Sequence, residues 1–191
     1  MEISVIILIS YLLGSIPFGF LLTKIILKKD IREIGSGNIG ATNVLRTGNK
    51  IIGYSTLILD ILKAVIPILF IKIQFPEFIF ISSLAVFLGH VFPIWLKFNG
   101  GKGVATYVGI LFCINYILGF FFIATWIVVF FISKYSSLSS LLASLIVPIY
   151  YFFIDTENYY FFIIMFILIF YTHRENIKRL KNNTESKTKI Y

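Results

Sequence analysis

The stretch KFNGGKGVAT, Lys97 to Thr106, sets three glycines and a lysine between apolar runs. Glycines at Gly100, Gly101 and Gly103 let backbone N–H groups gather around an anion. A helix starting after them would add its N-terminal amides and its dipole. Lys102 sharpens this reading. A cation in the first turn of a helix opposes the dipole by about 0.3–1 kcal/mol, and a bound anion would relieve that cost. A Walker-type nucleotide loop does not fit, because Gly103 rather than Ser or Thr follows Lys102 and the preceding run reads as a helix. The competing reading is an interfacial turn with a snorkelling lysine.

A second stretch, SGNIGATNVLR from Ser36 to Arg46, collects hydroxyls at Ser36 and Thr42, amides at Asn38 and Asn43, and a guanidinium at Arg46. Arg offers a fork to phosphate, and hydroxyls and amides suit the hydroxyls of a small polyol. If residues 40–46 are helical, Asn43 and Arg46 share a face. The competing reading is an ordinary polar loop. A third stretch, HRENIKR from His173 to Arg179, puts His173 and Asn176 at i, i+3 beside an apolar run. Here Glu175 and Arg179 would form a weak surface pair of about 0.3–0.5 kcal/mol, and the basic residues could equally anchor the chain to lipid headgroups. Within an apolar run, Asp60 and Lys63 stand at i, i+3, which suggests a structural ion pair that orients its helix towards the site, with direct catalysis as the competing reading. His90, three residues before Pro93, reads as a packing and hydrogen-bonding residue, with a role in the site as the competing reading, and Cys113 as a small buried hydrophobe.

The elements that must position these groups are apolar. The chain has 191 residues, of which 58% are hydrophobic and only 14% charged, where a soluble domain has about 25% charged. Runs of about 18 or more apolar residues match the hydrocarbon thickness of a bilayer in helical form. The expected fold class is all-α: a single polytopic membrane domain over residues 1–191. Spans are expected at about Ile3–Leu27 with a kink at Pro17, Ile51–Ile73, Phe78–Leu96, Gly103–Phe112, Tyr116–Ile132, Leu138–Ile154 and Tyr159–His173. Loops are expected at Lys134–Ser137 and at the DTEN turn, Asp155–Asn158.

The net charge of +8 points to positive-inside topology rather than to nucleic acid. Glu2 is the first charged side chain and Lys24 the next, which favours an outside N-terminus and a retained first helix. The C-terminus is then cytoplasmic. Lys and Arg crowd segments 28–50, 97–103, 134–137 and 173–191, and none fall in the opposite connections. Seven spans satisfy this bias, and five is the competing count. All three chemistry-bearing stretches then lie on the cytoplasmic face, where they can share one site.

At those stretches the sequence resembles the bacterial acyl-phosphate:glycerol-3-phosphate acyltransferases. The matching pieces are GSIPFG, SGNIGATNVLR, LDILKA, GHVFPIWLKFNGGKGVAT and HRENIKRL, in the family's order over nearly the whole chain. The tail departs from the pattern: NNTESKTKIY stands where the family has a glycine and an acidic–basic ending, so Glu185 inherits no role. The resemblance implies a seven-helix enzyme of the bacterial plasma membrane with a cytoplasmic site. It would transfer an acyl group from acyl phosphate to the 1-hydroxyl of glycerol 3-phosphate, the first step of phospholipid synthesis. By motif position it implies catalytic roles for Ser36, Arg46, Lys102, His173 and Asn176. It points to no metal, no cofactor and no acyl-enzyme, and it suggests an upstream enzyme that forms acyl phosphate.

The residues agree with this on chemical grounds. Two phosphate-bearing substrates need two anion sites, and a mixed anhydride needs no protein nucleophile. The Gly100–Gly103 turn would hold the acyl-phosphate head, and Arg46 with Ser36, Asn38, Thr42 and Asn43 the glycerol 3-phosphate. The base is either His173 or a substrate phosphate oxygen. A transporter of a phosphorylated solute is the rival class, but it should show charge through the membrane depth, where only Asp60 and Lys63 qualify. A metal-dependent phosphatidyl transferase would want clustered aspartates.

Overall fold

A computed structural model describes residues 2–155 and 157–188, so Thr156 of the expected DTEN turn lies outside the described residues. These residues form helices joined by turns, with no strand among them. The chain divides into two compact units, one up to Ile114 and one from Asn115 onward.

In the first unit the expected opening span is two helices, α1 (Ile3–Gly14) and α2 (Phe18–Ile26), broken at Pro17. Proline removes a backbone donor and disfavours helix at the residue before it. A five-residue helix, α3 (Ala41–Leu45), lies in the polar stretch. It is followed by the 25-residue α4 (Lys50–Gln74), whose start is capped by Asn49 Oδ1 accepting from Ile52 N at 3.0 Å. Next, α5 (Ile79–Val91) ends five residues short of the expected Leu96. Pro93 stops it, and a 3-10 turn at Ile94–Leu96 follows. The unit closes with α6 (Val104–Ile114).

Small residues bring these helices together, as is usual where lipid supplies no hydrophobic drive between helices. Ser10 of α1 and Ser82 of α5 share a hydrogen bond of 2.9 Å. A Cβ at Gly14 would run into the Val86 carbonyl, so the two backbones touch there. The Tyr11 hydroxyl donates to the Phe92 carbonyl at 2.7 Å, satisfying an acceptor at the proline break. Helix α4 packs on α1, α2, α3, α5 and α6 and is the spine of the unit. Its Lys72 ammonium donates to the carbonyl of Cys113 at 2.6 Å, near the end of α6. Cys113 itself is buried.

In the second unit Asn115 breaks the long apolar run as expected, and its Oδ1 caps α7 (Tyr116–Ser133) by accepting from Ile117 N at 2.9 Å. The expected 134–137 loop is shorter. Helix α8 (Ser136–Phe152) begins within it, and the Ser139 and Ser140 hydroxyls bond back to the carbonyls of Tyr135 and Ser136. Then α9 (Tyr159–Thr172) leads through His173 into α10 (Arg174–Lys181).

Among the described residues, three stretches are long and apolar enough to cross a membrane: Ile3–Ile26, Pro76–Leu96 and Tyr116–Ser133. Shorter apolar helices accompany them at Val104–Ile114, Ser136–Phe152 and Tyr159–Thr172. Large apolar side chains such as Ile66, Ile73, Phe131 and Ile132 are exposed, as suits a lipid-facing surface.

Candidate active site

The polar stretch after α2 is organised by one amide. Asn43 is 3% exposed. Its Nδ2 donates to the carbonyls of Ile31, Ile34 and Asn38, at 3.2, 2.8 and 2.8 Å. Its Oδ1 accepts from Ser36 N at 2.9 Å. The sequence suggests Asn43 as a substrate ligand, and the geometry corrects this: the amide is saturated by the loop it folds, leaving no donor for a substrate. Asn38 also works locally, its Oδ1 accepting from Gly40 N at 2.9 Å, which turns the chain into α3. Thr42 is half-buried beside it.

Gly35, which the sequence reading passes over, makes this fold possible. Its φ of +58° is left-handed, and a Cβ there would strike Asn43 Oδ1 and crowd the Arg46 side chain. A glycine pair spaced by one residue in IGSG is the available signal. The result is that exposed Ser36 and exposed Arg46 stand beside the same glycine. Arg46 lies just past the end of α3, with helical backbone angles, so the expected i, i+3 relation to Asn43 holds. The loop rests on Ile31, Ile39, Val44 and Ile52, joined by Leu96 from the turn ahead of Lys102. Leu96 thus ties the 3-10 turn at Ile94–Leu96 to the apolar core beneath the loop.

In that turn, Gly100 N donates to the Val91 carbonyl and Gly101 N to the His90 carbonyl, each at 3.1 Å. These two amides are spent inside the protein and are not the ones offered to an anion. The amides that open α6 follow them, since the first four N–H groups of a helix have no partner within it. Gly103 has φ +84°, and a Cβ there would overlap the Phe87 ring. Ahead of the glycines, Lys97 and Phe98 hold left-handed backbone at φ 51° and 62°, a conformation that costs non-glycine residues about 1–2 kcal/mol each. Lys102 is partly buried within this turn.

In the second unit His173 sits at the junction of α9 and α10, 2% exposed. Its Nδ1 lies 2.8 Å from the Ile169 carbonyl. A carbonyl only accepts, so in the neutral ring Nδ1 carries the proton and Nε2 holds the lone pair. One turn on, Asn176 Nδ2 donates to Glu185 Oε1 at 2.7 Å, while its buried Oδ1 has no hydrogen-bond partner. Glu185 also accepts from Ser137 Oγ at 2.7 Å and from Arg179 Nε at 2.6 Å. The expected Glu175–Arg179 surface pair is thus replaced by Arg179–Glu185, whose carboxylate is only 8% exposed. Burial alone would raise the Glu185 pKa, but the hydrogen bonds from Asn176, Ser137 and Arg179 outweigh it and hold the carboxyl below its ordinary range. Sequence reasoning left Glu185 without a role. Its signal was the lone acid in a basic tail.

These segments fall within one sequence family. The profile of the family described as glycerol-3-phosphate acyltransferase matches residues 4–183. The chain belongs to this family. The glycerol-3-phosphate acyltransferase of Pelagibacter ubique (strain HTCC1062) is 71% identical over 191 residues, covering all of both chains. Two crystal structures of PlsY (YgiH), an integral membrane glycerol 3-phosphate acyltransferase, match at 36% identity. They cover 97% of this chain and 94% of theirs. The glycerol 3-phosphate form superposes with a TM-score of 0.88 and the lysophosphatidic acid form with 0.87.

As a member of the glycerol-3-phosphate acyltransferase family the chain is an enzyme, an acyltransferase, and an integral membrane protein. The family match takes in the loop of Ser36 and Arg46, the turn of Lys102 and the junction of His173 and Asn176, and it ends two residues before Glu185.

Proposed function

We propose that this acyltransferase moves a fatty acyl group from acyl phosphate to the 1-hydroxyl of glycerol 3-phosphate, giving lysophosphatidic acid and inorganic phosphate. One observation carries the reading: the solved PlsY, alike over 97% of this chain, has a glycerol 3-phosphate form and a lysophosphatidic acid form, which are the acceptor and the product of such a transfer. A family match running through both compact units supports a single acyltransferase domain.

Acyl phosphate suits the chemistry of these residues. Its acyl–oxygen bond breaks with phosphate as a good leaving group, so the acceptor hydroxyl can attack directly and no acyl-enzyme is needed. The new ester C–O bond forms as the acyl C–O bond to phosphate breaks, the O–P bond stays with the departing phosphate, and the hydroxyl proton must go to a base. The protein's task is then to orient two phosphate-bearing substrates and stabilise charge. Arg46, with the Ser36 and Thr42 hydroxyls, takes the glycerol 3-phosphate. Asn43, Asn38 and Gly35 act by holding that loop in shape. Lys102 and the amides opening α6 take the acyl-phosphate head, while Gly100 and Gly101 serve through close packing. His173 Nε2 is the proton acceptor, with Nδ1–H fixed by Ile169. The orphaned Asn176 Oδ1 accepts a hydrogen bond from the other, non-attacking hydroxyl of glycerol 3-phosphate.

The enzyme works in the bacterial plasma membrane with seven spans, an outside N-terminus and its chemistry at the cytoplasmic face, supplied by an enzyme that forms acyl phosphate. Steady-state kinetics test the substrate roles. Lys102→Ala should raise the KM for acyl phosphate about tenfold or more, and Arg46→Ala that for glycerol 3-phosphate, each loss corresponding to about 1.4 kcal/mol or more. An unchanged acyl-phosphate KM in Lys102→Ala sinks the donor-site assignment.

A further inference from the structure

Two membrane-crossing stretches of the first unit, Ile3–Ile26 and Pro76–Leu96, end at the same place. Leu96 belongs to the buried cluster of Ile31, Ile39, Val44 and Ile52, and Leu27 packs against that cluster. Both stretches therefore leave the apolar layer at one level. Around this shared floor the neighbouring side chains turn outward. Trp95 and Phe98 are 62% and 57% exposed, and Ile25 and Ile26 are exposed to the same degree. Lys24, Lys28, Lys29 and Lys97 stand exposed among them. None of the steps above uses these side chains.

The turn after α5 is shaped to present its rings. The Pro93 carbonyl accepts from Leu96 N at 3.1 Å and from Phe98 N at 3.0 Å, and the Leu96 carbonyl accepts from Asn99 N at 3.1 Å. So tight a closure puts Lys97 and Phe98 in left-handed backbone, φ 51° and 62°, which non-glycine residues rarely adopt. Leu96 goes inward and Trp95 and Phe98 go outward. At the end of α2, Lys28 is left-handed too, with φ 56°, and the Thr23 carbonyl accepts from both Leu27 N and Lys29 N. Exposed aromatic rings rimmed by amines match the boundary between acyl chains and headgroups. Charge then selects the headgroup. Lys24, Lys28, Lys29, Arg32 and Lys97 stand against Asp30 and Glu33, and Arg32 pairs with Asp30 at 2.6 Å. That leaves four lysines facing one acid, a balance that attracts anionic lipid and gives zwitterionic lipid no advantage.

We propose that this surface is a binding site for an anionic phospholipid of the bilayer. Lys24, Lys28, Lys29 and Lys97 hold the headgroup, and Trp95 and Phe98 seat among the first methylenes of the acyl chains. The lipid clasps the ends of the two stretches together over their shared core. The proposal does not depend on which substrate the neighbouring glycine turn holds.

The test uses the full-length protein with defined lipids. In detergent, phosphatidylglycerol should raise the melting temperature by about 3 °C or more, as a ligand of the folded state does. Phosphatidylcholine and inorganic phosphate should not. Lys24→Gln, Lys28→Gln, Lys29→Gln and Lys97→Gln combined should abolish that shift, while turnover in phosphatidylcholine nanodiscs stays within about twofold and so shows that the variant folds. In the unaltered protein, raising salt from about 0.1 M to about 1 M should shrink the shift, because screening shortens the reach of the lysines. Fluorescence reads the rings. The chain has two tryptophans, so Trp126→Phe leaves Trp95 as the reporter. In phosphatidylglycerol nanodiscs it should be quenched about twofold more strongly by lipid brominated near the headgroup than by lipid brominated at the chain end. An equal shift with phosphatidylcholine, or a shift that survives loss of the lysines, would mean ordinary surrounding lipid and overturns the proposal. A shift with inorganic phosphate would mean a site for free anions, and a Trp95 that no lipid quenches would mean a face turned to water or to an acidic protein. Either result also overturns it.

Discussion

Two residues singled out by type turn out to differ in kind. His173 is held by a carbonyl that dictates its tautomer, which makes Nε2 the acceptor nitrogen of the neutral ring. Replacing it with Gln, at saturating concentrations of both substrates, should lower kcat by about 10²–10⁴-fold, the usual range for a general base. Nearly full turnover would instead assign the proton to a substrate phosphate oxygen. Asn43 has the same polar inventory as a substrate ligand, yet its donors and acceptor all serve the loop. Asn43→Ala should therefore lower the melting temperature, by the equivalent of about 2–3 kcal/mol, as well as weaken glycerol 3-phosphate binding. A raised KM at an unchanged melting temperature would restore Asn43 as a ligand. Sequence could name both residues but not separate them, because side-chain type says what an amide can bond and not what it already bonds.

At the scale of elements, helices were the most legible feature. Long apolar runs have few other solutions in lipid, and the breaks at Pro17 and Asn115 follow from a missing donor and a capping side chain. What stayed hidden lies at the ends: α5 stops before Pro93, and α8 starts inside a stretch that reads as a loop. The tail is similar, since a carboxylate clamp at Glu185 depends on Ser137, some fifty residues away in sequence, as well as on its neighbours. The Asp60–Lys63 pair was legible from spacing, but its ties to Ile16 and its approach to His90 join helices that only the fold brings together. Asp60→Ala would strand a buried ammonium and should destabilise the protein by about 3–5 kcal/mol. Replacing Asp60 with Leu and Lys63 with Met together should cost much less. Thermal melts in detergent read the difference, and equal, additive losses from the two sites would mean that the pair is not an energetic unit.

At the scale of the whole molecule, the resemblance read from five short motifs and the family match over residues 4–183 agree on an integral membrane acyltransferase. The residues to which we assign the chemistry stand at helix ends: Arg46 follows α3, Lys102 precedes α6 and His173 joins α9 to α10. A substrate with a phosphate head and a long acyl tail suits such an arrangement, because its two ends need different solvents. The direct measurement is turnover by the purified full-length protein in nanodiscs, given acyl phosphate and glycerol 3-phosphate, with released phosphate and lysophosphatidic acid both followed. One phosphate should be released for each lysophosphatidic acid formed, only when both substrates are present, with no product from acyl-CoA. Product from acyl-CoA but not from acyl phosphate would contradict the proposed donor, and lysophosphatidic acid formed without an equivalent of phosphate would contradict direct transfer from it.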